Sequence, residues 1–428
     1  MRLEKLYKAE FLSEKQIVGL QDGRLRAHLS YCAKNSPFYR RLFQEKNIDA
    51  GKINMQTLKT LPFTTKEDLQ KFNRDFLAVK PQSVADIVLS SGTTAKPTCV
   101  MYTAYDLERL AYNEEKAFLG CGMTPNDVVL LTCTMDRCFV AGLAYFLGAR
   151  AVGSAVIRNG LNSVESHAEI VKELKPTAIV GVPSFIKKLG VYLREKDISM
   201  ATVDKIICIG EPLRTEYLGL LKVTKDIVQL WNARVYSTYS TSEIVTTFCE
   251  CTQKSGGHLH PDLGIVEIVD EEGNAVPSGE KGEVVVTPLA VEGMPLLRFK
   301  TGDISFLIEG HCGCGRNSAR LGPIIGRKKQ MIKFKGTTIY PQAIFSAAEE
   351  IRGLSEYYVE VTGESDLSDK IKICVSGENL EKEEVEKVLQ AKLRVIPEVS
   401  VEDEKTIKEK IFDPASRKPI RFFDRRGR

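Results

Sequence analysis

Apolar residues recur along this chain with two different periods, and the places where the period changes divide it. Over residues 13–34 they return every three to four positions, and Ser36-Pro37 offers a cap and a first-turn proline for another helix, so residues 1–75 read as helical. From Asp86 the pattern shortens. Apolar, β-rich runs at 87–91, 128–133, 151–157, 177–182, 205–210 and 233–239 alternate with amphipathic stretches at 105–119, 139–147, 164–174, 184–195 and 213–222. That alternation predicts βαβ units and a mainly parallel sheet, whose ligands bind beyond the carboxyl ends of the strands. After Glu243 the helical pattern stops. Residues 264–289 read as two strands around a turn-rich segment, and 295–308 as a further strand pair, which together predict an antiparallel β subdomain. From Arg327 a small α+β unit is expected: strand 330–334, helix 341–351, strands 357–361 and 370–376, helix 382–394. The predicted fold is α/β. A large N-terminal domain, 1–326, includes a β-rich part at 264–325, and a small C-terminal domain follows at 327–428.

Composition narrows the function classes. Lys plus Arg is 60 and Asp plus Glu is 56 over 428 residues, and a net charge of +4 spread that thinly is no footprint for nucleic acid or a membrane surface. The closest approach to a membrane span, 139–157, is interrupted by Arg150, and its uncharged part, 139–149, is 11 residues long, against the ~20 that a spanning helix needs. The opening MRLEKLYKAE has charges with no apolar core behind them, so no secretion signal is read. The 11 cysteines are odd in number; with no signal, a cytoplasmic setting with free or metal-bound thiols is expected.

Two groups of residues carry candidate chemistry. The segment 90–98, SSGTTAKPT, directly follows a predicted strand and puts hydroxyls, a glycine and one lysine in a loop, a set suited to polyphosphate. It lacks the spacing of a Walker A loop, and the G-x-G triplets at Gly120 and Gly313 do not continue into a dinucleotide fingerprint. Ser184 to Lys187 and Lys300-Thr301-Gly302 match two elements of serine acyl-enzymes, but S-D-N is missing, and about two S-x-x-K matches arise by chance in a chain of this composition. The second group is metallic in character. Three of the five histidines and four of the 11 cysteines fall within 249–314: Cys249, Cys251, His258, His260, His311, Cys312 and Cys314. Thiolates and imidazoles in fours make tetrahedral zinc sites.

The polyphosphate-type loop resembles that of the adenylate-forming (acyl-CoA synthetase) superfamily, in its phenylacetate–CoA ligase branch. Further matches follow in order. SPFYRRLF (36–43) and LPFTTKEDL (61–69) are similar to the N-terminal signature, and GEP (210–212) to the adenine loop. TYSTSE (238–243) stands where the family has Y-G-x-[ST]-E, and RFKTGD (298–303) resembles the ribose-binding strand. GRKKQMIKFKGTTIYPQAI (326–344) resembles the hinge and the start of the mobile C-terminal domain, and RKPIRFFDRR (417–426) the catalytic-lysine segment.

The resemblance implies an ATP-dependent carboxylate–CoA ligase working through an acyl-adenylate, on an aryl-acetic or similar apolar acid. Alternatives are transfer to a carrier-protein thiol, or a non-catalytic nucleotide-binding relative. It implies ATP/AMP, Mg²⁺ and coenzyme A as cofactors or co-substrates, and leaves a homodimer open. Lys418, Glu243, Thr94 and Lys96 take catalytic roles, with Glu243 on Mg²⁺. Ser91, Gly92, Thr93, Glu211, Pro212, Tyr239, Ser240, Thr241, Asp303, Arg327 and Gly336 bind nucleotide: Glu211, Pro212 and Tyr239 flank adenine, and Asp303 takes the ribose hydroxyls. An apolar acyl pocket is expected from Cys133, Met135, Cys138 and Phe139. Lys329 is the hinge. Among the metal candidates the resemblance selects Cys251, His258, Cys312 and Cys314 for a structural Zn²⁺. The chain departs from the family pattern at Ala95, Ser240, Lys329 and Arg417, and Ser240 bears on the acyl substrate.

Overall fold

The computed structural model describes residues 4–90, 98–334, 337–365, 368–393, 395–412 and 419–426. Ser91, Gly92, Thr93, Thr94, Lys96, Gly336 and Lys418 lie outside the described residues. The chain divides into two compact units, 1–301 with 305–324 and 302–304 with 325–428.

The first unit opens with α1 (Glu14–Asn35), α2 (Pro37–Glu45), which has the expected proline in its first turn, and α3 (Lys66–Lys71). A hairpin of β1 (Val84–Ser90) and β2 (Thr98–Thr103) leads into α4 (Ala104–Gly120), which Thr103 and Asp106 start with a reciprocal capping box. The alternation then follows as β3 (Val128–Leu131), α5 (Val140–Val152), β4 (Ala155–Arg158), α6 (Val164–Leu174), β5 (Ala178–Gly181), α7 (Pro183–Glu195), β6 (Lys205–Cys208), α8 (Lys222–Trp231) and β7 (Arg234–Thr241). These strands lie in the order β4-β3-β5-β6-β7, all parallel. Beyond β7 the sheet continues antiparallel through β8 (Thr246–Glu250) and β9 (Gly257–His258). Strand residues alternate between two cores. Val129, Leu131, Val180 and Ile207 face α4 and α5, while Leu130, Ile179, Ile206 and Val235 face α6, α7 and α8. Both faces are covered, which is why these strands read as unbroken apolar runs.

Two expectations fail locally. The strand read at 151–157 starts only at Ala155, because α5 runs on to Val152 and stops where Gly153 turns left-handed (φ 94°). The amphipathic stretch 213–222 is not a helix. It is a loop closed by an Arg214–Leu220 bridge, with Leu218 at φ 64°, and the helix is α8, which buries Ile227 and Trp231.

As read, no α-helix occurs between Glu243 and the second unit among the described residues. β10 (Gly264–Val269) and β11 (Gly282–Pro288) pair antiparallel, and β12 (Phe299–Ser305) lies beside β11. β13 (Leu307–Ile308) and β14 (Arg320–Leu321) complete the outer edge of the large sheet beyond β9.

In the second unit β15 (Gly326–Arg327) pairs with residues 303–304 of β12, and β16 (Ile332–Phe334) pairs with β17 (Thr337–Ile339). Then come α9 (Pro341–Ala348), β18 (Leu354–Ser365), β19 (Ser368–Gly377), α10 (Lys382–Leu393), β20 (Glu398–Val401), α11 (Glu404–Ile411) and β21 (Phe422–Asp424). The sheet order is β20-β19-β18-β21. Ile344 of α9 and Val385 and Leu389 of α10 pack with Val359 and Ile373, while Ile407 and Ile411 of α11 pack with Tyr358 and Cys374, their neighbours along the same strands. Among the described residues no helix is long and apolar enough to cross a membrane.

Candidate active site and metal centre

Four of the expected nucleotide residues, Glu211, Pro212, Tyr239 and Ser240, lie at or near the strand ends of the first unit, with Glu243 just beyond. β6 ends at Cys208, and the chain turns through Gly210 (φ 70°) into Glu211 and Pro212. The Glu211 carboxylate accepts from both the backbone N–H (3.0 Å) and the hydroxyl (2.9 Å) of Ser184, so it caps the first turn of α7. On adjacent β7, Tyr239 is half-buried and stacks on Phe248 with ring centroids 6.0 Å apart, and the exposed Ser240 donates to the carbonyl of Thr246 (2.8 Å). The turn after β7 buries Glu243 to 2% exposure. Glu243 Oε1 has no hydrogen-bond partner among the described residues, and Lys66 Nζ stands 4.0 Å from it. A buried carboxylate oxygen left without a donor costs about 1–3 kcal/mol, so this is a carboxylate suited to a hard cation.

The residue that holds this turn carries no local signal in the sequence. Arg109, on α4, is fully buried. Its guanidinium donates to the carbonyls of Leu289 (2.7 Å), Leu263 (2.5 Å) and Val245, and to the Thr246 hydroxyl (3.2 Å). Val245 is a β-branched residue at φ 48°, a conformation that survives only where its surroundings impose it. Burial pulls the Arg109 pKa down to about 10, which leaves it charged at neutral pH. Arg109→Met is expected to strand the three carbonyls and to destabilise the fold by at least about 3 kcal/mol. Denaturant unfolding checks this, and a loss below about 1 kcal/mol contradicts the assigned role.

In the second unit, Asp303 and Arg327 face one another across the β12–β15 pairing, with Arg327 Nε 3.6 Å from Asp303 Oδ1. The Asp303 side chain is 11% exposed and that of Arg327 52%. Next to Arg327, Gly326 admits no side chain, since a Cβ there would lie 2.5 Å from the Tyr340 ring. The C-terminal segment is anchored from Ile420 onward. Ile420 N–H donates to the Ile411 carbonyl (2.7 Å), Arg421 pairs with Glu356 (2.6 Å), β21 lies parallel to β18, and Arg426 pairs with Asp369 (2.8 Å).

Of the acyl-pocket candidates, Cys133 is buried in the α4–α5 core with Met135 packed against it, whereas Cys138 and Phe139 are exposed. Arg137 (φ 60°) and Cys138 (φ 54°) form a consecutive left-handed pair there.

The cysteines and histidines sort cleanly. The ligand atoms of Cys251, His258, Cys312 and Cys314 all lie within 4.8 Å of one another. Cys251 follows β8, His258 is on β9, and the other two flank a turn in which the Gly315 N–H donates to the Cys312 carbonyl (2.8 Å). The Cys251–Cys312 Sγ separation is 3.7 Å, and Cys314 Sγ to His258 Nε2 is 3.5 Å. A tetrahedron with zinc–sulfur bonds of ~2.3 Å and a zinc–nitrogen bond of ~2.0 Å requires edges of about 3.8 and about 3.5 Å. Gln253 N–H points at Cys251 Sγ (3.4 Å), and Ser318 holds His258 Nδ1 (3.2 Å), which turns Nε2 inward. Burial pushes the His258 pKa down to about 4, so the imidazole is neutral and able to ligate. The remaining candidates are engaged elsewhere: Cys249 with Cys121 (3.3 Å), His260 with Glu10 (2.7 Å) and His311 with Asn317 (2.8 Å).

Comparison with known proteins decides the family. Residues 32–291 match the AMP-binding enzyme family. The chain belongs to the AMP-binding enzymes. A phenylacetate-coenzyme A ligase from Thermus thermophilus is 31% identical over 378 residues, 86% of this chain and 83% of that one, and one from Escherichia coli is 27% identical over 367 residues, 83% and 81% of the two chains. Within its family this AMP-binding enzyme therefore lies in the phenylacetate–CoA ligase branch of AMP-forming acid–thiol ligases. Its fold matches a crystal structure of 2-hydroxyisobutyryl-CoA ligase in the postadenylation state with 2-HIB-AMP. The TM-score is 0.87 at 21% identity, over 100% of this chain and 94% of that one.

The serine acyl-enzyme pattern has no counterpart in this AMP-binding enzyme. The Ser184 hydroxyl is bound to Glu211, Lys187 is paired with Asp226 (2.6 Å), and Lys300 lies 3.5 Å from Glu283.

Proposed function

We propose that this AMP-binding enzyme joins an apolar carboxylic acid, of the aryl-acetic kind, to coenzyme A at the expense of ATP. The observation that carries the reading is Glu243, a buried carboxylate with one oxygen lacking a donor among the described residues, beside the β6 and β7 ends where a parallel sheet binds ligands. Glu211, Pro212 and Tyr239 take the adenine, Asp303 the ribose hydroxyls with Arg327 beside it, and Thr93, Thr94 and Lys96 the phosphates, with Ser91, Gly92, Ser240, Thr241 and Gly336 completing the nucleotide contacts. Mg²⁺, held through Glu243, supplies charge neutralisation on the triphosphate.

In the first half-reaction a carboxylate oxygen attacks the α-phosphorus, and the bond to the bridging oxygen breaks to release pyrophosphate. Two anions must meet, so Lys418, touching both the carboxylate and the α-phosphate, offsets their repulsion. In the second, the CoA sulfur attacks the acyl carbon, the carbon–oxygen bond to AMP breaks, and the thiol proton is lost to solvent. Lys418 must leave for the thiol to enter, which gives a hinge at Lys329 its use. Cys251, His258, Cys312 and Cys314 would hold a structural Zn²⁺ with no open coordination position; the spacing of their ligand atoms supports that assignment.

A panel of carboxylic acids, assayed for pyrophosphate release with and without CoA, tests the reading. Acid-dependent release, with thioester formed only when CoA is present, is expected. Thioester formed only on a carrier protein would move the acceptor, and no acid-dependent release from any acid would overturn ligase function.

A further inference from the structure

The four clustered ligands are surrounded by a second layer of polar contacts, and much of it comes from the other end of the sequence. Residues 5–12 lie across the cysteine turn. The Glu10 side chain, in a residue 2% exposed, uses both oxygens: one accepts from or pairs with His260 Nδ1 (2.7 Å), the other accepts from Arg316 Nε (3.2 Å). Arg316 in turn donates through Nη1 to Cys314 Sγ (3.5 Å) and places its guanidinium 5.0 Å from the centre of the Phe11 ring. The Glu10 carbonyl accepts the backbone N–H groups of Asn317 (2.8 Å) and Ser318 (3.2 Å), and Asn317 Nδ2 donates to the Leu12 carbonyl (3.1 Å). Ser318 is also the residue that holds His258 Nδ1 (3.2 Å). Further along the strap, Lys5 (2.9 Å) and Tyr7 (3.0 Å) bond the Glu115 carboxylate.

Charge gives this arrangement a purpose. Three thiolates and a neutral imidazole around a divalent ion sum to one net negative charge. Arg316 is a cation in direct contact with that cluster, through Cys314 Sγ, and Glu10 fixes where it points. Partners of metal ligands set ligand orientation and basicity, and their loss lowers metal affinity about 10- to 100-fold.

We propose that Glu10 is a positioning residue for the Cys251–His258–Cys312–Cys314 metal site, acting through Arg316, and that metal binding and docking of the 5–12 strap are one coupled equilibrium. The inference rests on the zinc assignment above and goes beyond it. Metal in the site fixes the 312–318 turn, which presents two backbone donors and Arg316 to Glu10. Without metal the turn loosens and the strap loses its anchor.

The test uses the full-length protein with zinc alone as the probe. Chelator competition should show Glu10→Gln binding zinc about 10- to 100-fold more weakly than wild type, although glutamine keeps the side chain's shape. In the wild type, stripping zinc should speed hydrogen exchange in peptides covering 5–12 and 317–318, with little change in the second unit. This second measurement needs no variant to fold. Zinc uptake with Glu10→Gln affinity within twofold of wild type, or strap exchange unchanged by stripping, overturns the coupling while leaving the metal site intact. A wild type that takes up no zinc overturns the metal site and the coupling with it.

Discussion

Lys418→Ala is expected to lose adenylate formation by about 100- to 1000-fold, the scale on which one preorganised transition-state contact acts, while ATP affinity changes little. Given preformed acyl-adenylate and CoA, the same variant should make thioester at close to the wild-type rate. The asymmetry follows from charge. In the first half-reaction a carboxylate approaches a triphosphate, and a single ammonium touching both is worth most there. In the second half-reaction the nucleophile is a thiol and the leaving group is AMP, so that ammonium has no repulsion to offset. The segment that carries the lysine is tied down just beyond it by β21 on β18 and by the Arg421–Glu356 pair. Lys329→Pro should give the opposite pattern, because a stiffened hinge obstructs the change between half-reactions and spares the first chemistry. Equal loss of both half-reactions in Lys418→Ala would remove the lysine from the mechanism.

Asp303→Ala is expected to weaken ATP binding about 10- to 100-fold. Hydrogen bonds to a charged acceptor contribute about 1.5–3 kcal/mol, and each 1.4 kcal/mol is tenfold in affinity. A carboxylate can accept from both ribose hydroxyls at once, and the 11% exposure of this side chain limits competition from water. Asp303→Asn should fall between the two, because its amide keeps one acceptor oxygen. Calorimetric titration with ATP gives the answer, and an affinity within twofold of wild type in Asp303→Ala would remove Asp303 from the site.

How much of this was readable in the chain depends on the range of the interaction. β3, β5 and β6 stood out because both faces of their sheet are covered, which leaves short apolar runs between polar turns. The four clustered metal ligands stood out because cysteine and histidine are scarce, although choosing them over Cys249, His260 and His311 needed the family resemblance. Their positions in the fold now separate the two sets. The helix misread at 213–222 had the right periodicity, but the Arg214–Leu220 bridge closes a loop there and the helix begins at Lys222. Strands as short as Gly257–His258 leave no periodic trace at all. Arg109 and Glu10 were invisible for a different reason. Their partners, the carbonyls of Val245, Leu263 and Leu289 for one, and His260 and Arg316 for the other, lie far along the chain. A buried ion whose partners are distant reads locally as one more charged residue on an amphipathic surface.

Activation of the acid as an acyl-adenylate leaves an isotopic signature in the products. The most direct measurement uses an acid active in the pyrophosphate assay, its carboxylate labelled with ¹⁸O, incubated with enzyme, ATP, Mg²⁺ and CoA. If a carboxylate oxygen attacks the α-phosphorus and the thiol later breaks the acyl carbon–oxygen bond, AMP must carry one labelled oxygen and pyrophosphate none. Unlabelled AMP with the ¹⁸O in pyrophosphate, or ADP with the ¹⁸O in inorganic phosphate, would contradict acyl-adenylate formation.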